Sequence, residues 1–166
     1  IVHNGKYEYT IEPEENYVLT DEITVTIGGN PLNREDFTYE NGKVTIPENL
    51  ITDKVVIEAA AIEKFPVEII TSNITHNGED SVLDGDDYSV TLTPDENYVL
   101  PDDITVTIGE NTVLTPDQYT YDPDTGAVTI PENLITGEVI ITAEAELQKH
   151  PVSVGGTGIK NPTSTE

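Results

Sequence analysis

Over Tyr7-Glu8-Tyr9-Thr10-Ile11, and again over Tyr88-Ser89-Val90-Thr91-Leu92, large apolar side chains alternate with polar ones. A period of two over five residues is the pattern of a half-buried strand. Pro13 and Pro94, each amid acidic residues, close these segments as turn signals. Ile23, Val25 and Ile27 then share one face and Thr24 and Thr26 the other, and Ile104, Val106 and Ile108 repeat the arrangement. A run filled with β-branched residues favours strand. Phe37-Thr38-Tyr39 and Tyr119-Thr120-Tyr121 each place two aromatic rings on one side. Val44-Thr45-Ile46 and Val128-Thr129-Ile130 return from the turns that follow them, and Val55, Ile57 and Ala59, or Val139, Ile141 and Ala143, form a last strand. Six or seven short strands at near-regular spacing, with no helical period, predict an all-β fold of the sandwich type; a small closed barrel is the alternative.

The same elements recur because the chain is a repeat, and self-similarity decides which residues are special and which are copied. Val44 to Thr52 returns unchanged as Val128 to Thr136, and Asn16 to Gly28 matches Asn97 to Gly109 at 11 of 13 positions. The separation grows from 81 to 84 residues across 30–43 and 111–127, the mark of a surface loop. Phe65-Pro66-Val67 matches His150-Pro151-Val152, so a new repeat opens near residue 65 and another near 150. Residue 166 then aligns just before the counterpart of residue 1, and the two ends abut. The predicted organisation is two tandem modules cut in permuted register: residues 1–64 lacking an opening strand, 65–149 complete, and 150–166 the opening strand of a following repeat or a donated strand. Glu63-Lys64 and Gln148-Lys149 are expected to be short linkers. Tyr17 and Tyr98 are expected to pack inward, with Leu50 and Leu134 as plugs under the crossing loop.

Charge narrows the partners. With 32 acidic residues against 7 basic ones, the formal charge is −25. Phosphate binding needs clustered Lys and Arg, so nucleic acid and anionic membrane surfaces are disfavoured. No apolar run approaches the roughly 20 residues of a spanning helix, and no membrane insertion is expected. Acidity serves solubility and repulsion between neighbouring modules. There is no cysteine, hence no disulfide. No methionine is present and the sequence opens on Ile1, from which a mature or excised segment is expected.

No reaction is visible. Ser72, Ser81, Ser89, Ser153 and Ser164 lack a His-Asp pattern, with only His3, His76 and His150 available. The Gly155 to Lys160 segment lacks the spacing and following helix of a phosphate loop. We therefore expect a non-enzyme with no cofactor and no metal. The weak ligand-site candidates are Tyr119 and Tyr121, as faces for a sugar, and Asp122 and Asp124, in a turn that partly resembles an acidic calcium loop without its further ligands. A turn fastened by Asp side chains bonding the backbone is the better account of that segment. In the first copy Asn41-Gly42 stands there, a strong hairpin signal.

The order V-x-[IV], Gly-x-x-Tyr, N-Y-V-L-P-D-x-I-T-V-T-I-G, a Tyr-x-Tyr hairpin, and V-T-I-P ending in V-x-I-x-A resembles the tandem immunoglobulin-like repeats of secreted and cell-surface proteins of Gram-positive bacteria, with similar modules on phage tails. The resemblance covers 65–149 fully and the rest as its permuted partner. It implies an immunoglobulin-like β-sandwich, an extracellular setting, and service as a stalk, fibre or adhesin without catalytic residues. The expected partners are copies of the chain head-to-tail, or neighbouring repeats of a longer chain, and host or cell-surface glycans. Head-to-tail assembly would proceed by donation of the C-terminal strand through Val152, Val154 and Ile159. The alternative functions are a carbohydrate- or calcium-binding module, or an accessory domain of a larger enzyme.

Overall fold

The structure is a computed structural model that describes residues 2–3 and 5–149. It is all-β: the described residues form strands in several sheets, with three single-turn 3-10 segments, Arg34–Asp36, Glu48–Leu50 and Glu132–Leu134. No described helix is long and apolar enough to cross a membrane.

Two hydrophobic cores are present. Val25, Ile27, Phe37, Tyr39, Val44 and Ile46 form the first. The second is larger and gathers Tyr88, Val90, Leu92, Val106, Ile108, Tyr119, Val128, Ile130, Val139 and Ile141, among others. Around the first core one sheet runs in the order Val2–His3, Lys6–Thr10, Lys43–Pro47, Thr38–Glu40. Around the second the equivalent sheet runs Thr120–Asp122, Ala127–Ile130, Tyr88–Pro94, Ile74–His76. The alternation in the sequence does what a pleat requires. Tyr88, Val90 and Leu92 are buried while Ser89 and Thr91 between them are exposed.

The opposing sheets of both cores are joined by one element. Strand Val55–Ser72 is 18 residues long. Its first half pairs antiparallel with Tyr17–Ile27, Val55 opposite Ile27 and Glu63 opposite Tyr17. Its second half pairs parallel with Val139–Glu144, Val67 opposite Val139 through Ser72 opposite Glu144. Between them Lys64, Phe65 and Pro66 pair with Ser81–Leu83. The expected linker Glu63-Lys64 is thus a correction: these residues lie inside a continuous strand, here called the through-strand. Pro66 does not break it. Lys64 donates its N–H to Asn16, toward the Tyr17–Ile27 side, whereas Val67 donates to Asp80 on the other side. Alternation puts the missing donor of Pro66 on the side of Lys64, where the neighbouring strand has already ended, so no ladder bond is lost.

The copies differ where a proline is exchanged. Tyr17–Ile27 is one strand with an irregularity between Leu19 and Ile23, whereas the second copy is split into Tyr98–Val99 and Thr105–Ile108. Thr20 Oγ1 reaches the Ala60 carbonyl at 3.2 Å. Its counterpart Pro101 has no donor to give and ends the run. Tyr17 also departs from expectation: it is exposed, while Tyr98 is half-buried against the second core. Leu50 and Leu134 are half-buried, and the residue sealed most completely beneath the second crossing loop is Ile135. Both hairpins are closed by residues in the left-handed region, Asn41 (φ 50) and Gly42 (φ 77) in one and Gly126 (φ 74) in the other.

Candidate interaction site: an open sheet edge

The residues expected as ligand-binding faces are engaged elsewhere. Tyr119 is buried and donates its hydroxyl to the Ile104 carbonyl at 2.7 Å, and Tyr121 donates to the Pro101 carbonyl at 2.8 Å. These bonds use the polar tip that an inward-packed tyrosine must satisfy. In the first copy Phe37 replaces Tyr119, and Tyr39 has a buried hydroxyl without a hydrogen-bond partner among the described residues. Asp122 and Asp124 are exposed. The Asp122 carboxylate accepts from the Asp124 backbone N–H at 2.9 Å, a side-chain-fastened turn. A side-chain bond from Thr125, then the Asp124 backbone bond, holds the Asp122 carboxyl below its ordinary range. Among the described residues no three His, Asp or Glu side chains gather as metal ligands. Val152, Val154 and Ile159 lie outside the described residues.

Burial and neighbouring acids push two tyrosines up to about 12. For Tyr88 burial dominates, with Glu79 and Asp80 adding; for Tyr121 burial again leads, followed by Asp102. A folded value raised above the unfolded one contributes stability that is fully present below about pH 10 and is lost as pH rises through about 12. Stability of the second module should therefore fall between those limits, and Tyr88→Phe combined with Tyr121→Phe should flatten that fall in urea titrations across the range.

The site the structure brings out lies on the through-strand. In the second module Val139–Glu144 has a neighbour on each edge: Thr105–Ile108 on one and residues 67–72 on the other. In the first module the equivalent segment 55–60 is paired only with Tyr17–Ile27, and no described strand pairs with its other edge. Exposure follows. Val139 and Ile141 are 0% exposed and Ala143 5%, whereas their counterparts Val55 and Ile57 are half-buried and Ala59 is exposed. The facing sheet shows the same deficit. Tyr7 is half-buried where Tyr88 is buried, and Tyr9 is 52% exposed where Val90 is 4%. What covers these positions in the second module is the segment carrying Val67, Ile69 and Ile74.

Two open clefts of about 540 and 510 Å³ occupy matching places in the copies, the first beside Ile11, Leu19 and Gly42, the second beside Leu92, Leu100 and Thr125. Because they recur, they belong to the architecture of a module. The open edge does not recur. Its residues carry no local signal, since V-x-I-x-A reads the same in both copies. Compared with known proteins, the chain matches no family model, no curated protein and no solved structure.

Proposed function

We propose that this chain is a non-enzymatic, load-bearing repeat: two immunoglobulin-like sandwich modules of an extracellular bacterial fibre, stalk or adhesin. The setting and the immunoglobulin-like assignment rest on the resemblance of the repeat motif. The mechanical role rests on one observation. In the second module the first strand, 67–72, and the last, Val139–Glu144, are parallel neighbours in a register six residues long. Tension entering along the through-strand and leaving past Glu144 pulls these two strands in opposite directions along their length. Every bond of the ladder is then loaded at once, rather than one after another as in unzipping. The through-strand carries the same tension from the first core to the second without an intervening hinge.

Single-molecule extension of the chain held by its two ends tests this. Two unfolding steps are expected. The second module should yield at the higher force, and the first, whose last strand has no parallel partner among the described residues, at the lower. Two steps at indistinguishable low force would remove the mechanical reading.

A further inference from the structure

We propose that the cleft of the first module, beside Ile11, Leu19 and Tyr39, is a binding site for an uncharged sugar ring, with the Tyr39 hydroxyl as its recognition group; this goes beyond the load-bearing reading and does not rest on it. The cleft measures about 540 Å³, within the roughly 300–1,000 Å³ of small-molecule sites. Its counterpart in the second module supplies the control. Both are walled by the same elements: the end of a strand, the Tyr-Val-Leu segment that follows it, and the tip of the hairpin. Neither includes the open edge at 55–60, and none of residues 67–76 lines the second cleft.

What differs between them is a tyrosine. Tyr121 donates its hydroxyl to the Pro101 carbonyl at 2.8 Å and is not among the residues lining the second cleft. Tyr39, its counterpart, lines the first cleft; it is 9% exposed, and its hydroxyl has no partner among the described residues. The cause is the exchange of Pro101 for Thr20. At the proline the chain has left the strand that ends at Val99, and the carbonyl there meets Tyr121. Thr20 instead stays within its strand, its Oγ1 donating to the Ala60 carbonyl and accepting from the Glu22 N–H, both at 3.2 Å. No carbonyl is brought to Tyr39. A buried hydroxyl without a partner is an exception in folded proteins, and an oxygen supplied by a ligand removes it.

The rest of the cleft selects the ligand. Ile11 and Leu19 give it an apolar wall, and Tyr17, 37% exposed, adds an aromatic face. Glu12, Asp21 and Glu40 line it and are exposed, and no Lys, Arg or His lines it among the described residues. These carboxylates repel an anion, in a chain whose formal charge is already −25. An ammonium group is attracted, but it has no lone pair with which to accept from the Tyr39 hydroxyl. A hydrocarbon leaves every polar group unmet. An uncharged sugar satisfies all of them: C–H bonds on one ring face for the apolar and aromatic walls, an oxygen to accept from Tyr39, and hydroxyls to donate to the carboxylates. The second cleft keeps Leu92, Leu100 and Asp102, but Thr93 stands in place of Glu12 and its tyrosine is already engaged.

Amide correlation spectra of the full chain, titrated with methyl glucoside, methyl galactoside and lactose at millimolar concentrations, detect weak binding and locate it. At least one of the three should shift the amides of residues 10–12, 17–21 and 39–42, while the matching amides of the second cleft stay still. Tyr39→Phe removes the hydroxyl alone. Because that hydroxyl has no partner in the free protein, the variant should be at least as stable as the parent, yet bind the sugar about tenfold more weakly. Thr20→Pro, which gives the segment the residue of the second copy, should weaken binding to a similar degree without unfolding the module. Silence at the first cleft with all three sugars overturns the proposal, as do equal shifts in both clefts. Equal affinity for the parent and Tyr39→Phe overturns it too, making the hydroxyl a feature of packing only. Tighter binding of glucosamine than of methyl glucoside overturns the choice of ligand, because the carboxylates would then be holding a cation.

Discussion

Truncating Ile141 to alanine is expected to cost the second module about 3–4 kcal/mol, whereas the same truncation at Ile57 should cost the first module about 1–2 kcal/mol. The two residues are copies of one position, in strands with the same pattern of apolar residues. Only their surroundings differ. Ile141 is 0% exposed, enclosed between Thr105–Ile108 and residues 67–72, so its removal leaves a cavity in a packed core. Ile57 is half-buried beside an edge with no described neighbour, so part of its surface is already wet and the gap can fill with water or close. Urea unfolding followed by two probes, one per module, measures both costs. Equal losses at the two positions would show that the first core is as well covered as the second.

Gly126→Ala is expected to destabilise the second module by on the order of 3 kcal/mol, roughly 15 °C in Tm for a module of this size. Two effects combine. Gly126 has φ +74, a region in which a side chain is strained, and a Cβ there would collide with the Leu92 carbonyl oxygen. The carbonyl cannot simply move, because Gly126 and Leu92 are joined by a backbone bond, Leu92 N–H to Gly126 carbonyl, at 2.9 Å. Relieving the clash means parting the hairpin from the strand that holds Tyr88, Val90 and Leu92 in the core. An alanine variant melting within a few degrees of the parent would show that the hairpin gives way cheaply.

The strands were legible because period-two alternation is a local property, and Tyr88 to Leu92 or Ile104 to Ile108 declare it within five residues. The Asn41-Gly42 turn was legible for the same reason. The through-strand was not. Glu63 and Lys64 read as a short linker between two modules, and that a strand runs through them and past Pro66 depends on where Tyr17–Ile27 ends, which decides what the missing donor of Pro66 faces. The two aromatic residues of each hairpin were correctly placed on one face, but whether that face meets core or ligand depends on the carbonyls of Pro101 and Ile104, far away in sequence. That segment 55–60 pairs on one side only among the described residues was not legible in its own sequence. The exposure that makes it a candidate site comes from neighbours, which V-x-I-x-A cannot encode.

A strand that belongs to two sheets also fixes an angle. Modules tied by a flexible tether swivel independently, and features on their surfaces point in all directions. Here, turning one core about the long axis relative to the other would have to shear the ladder to Tyr17–Ile27 on one side of Lys64 or the ladder to Val139–Glu144 on the other. Torsion is resisted along with stretch. Whatever the outer faces of the two modules display, they display at a constant azimuth, so an array jointed in this way presents its surfaces as a regular screw.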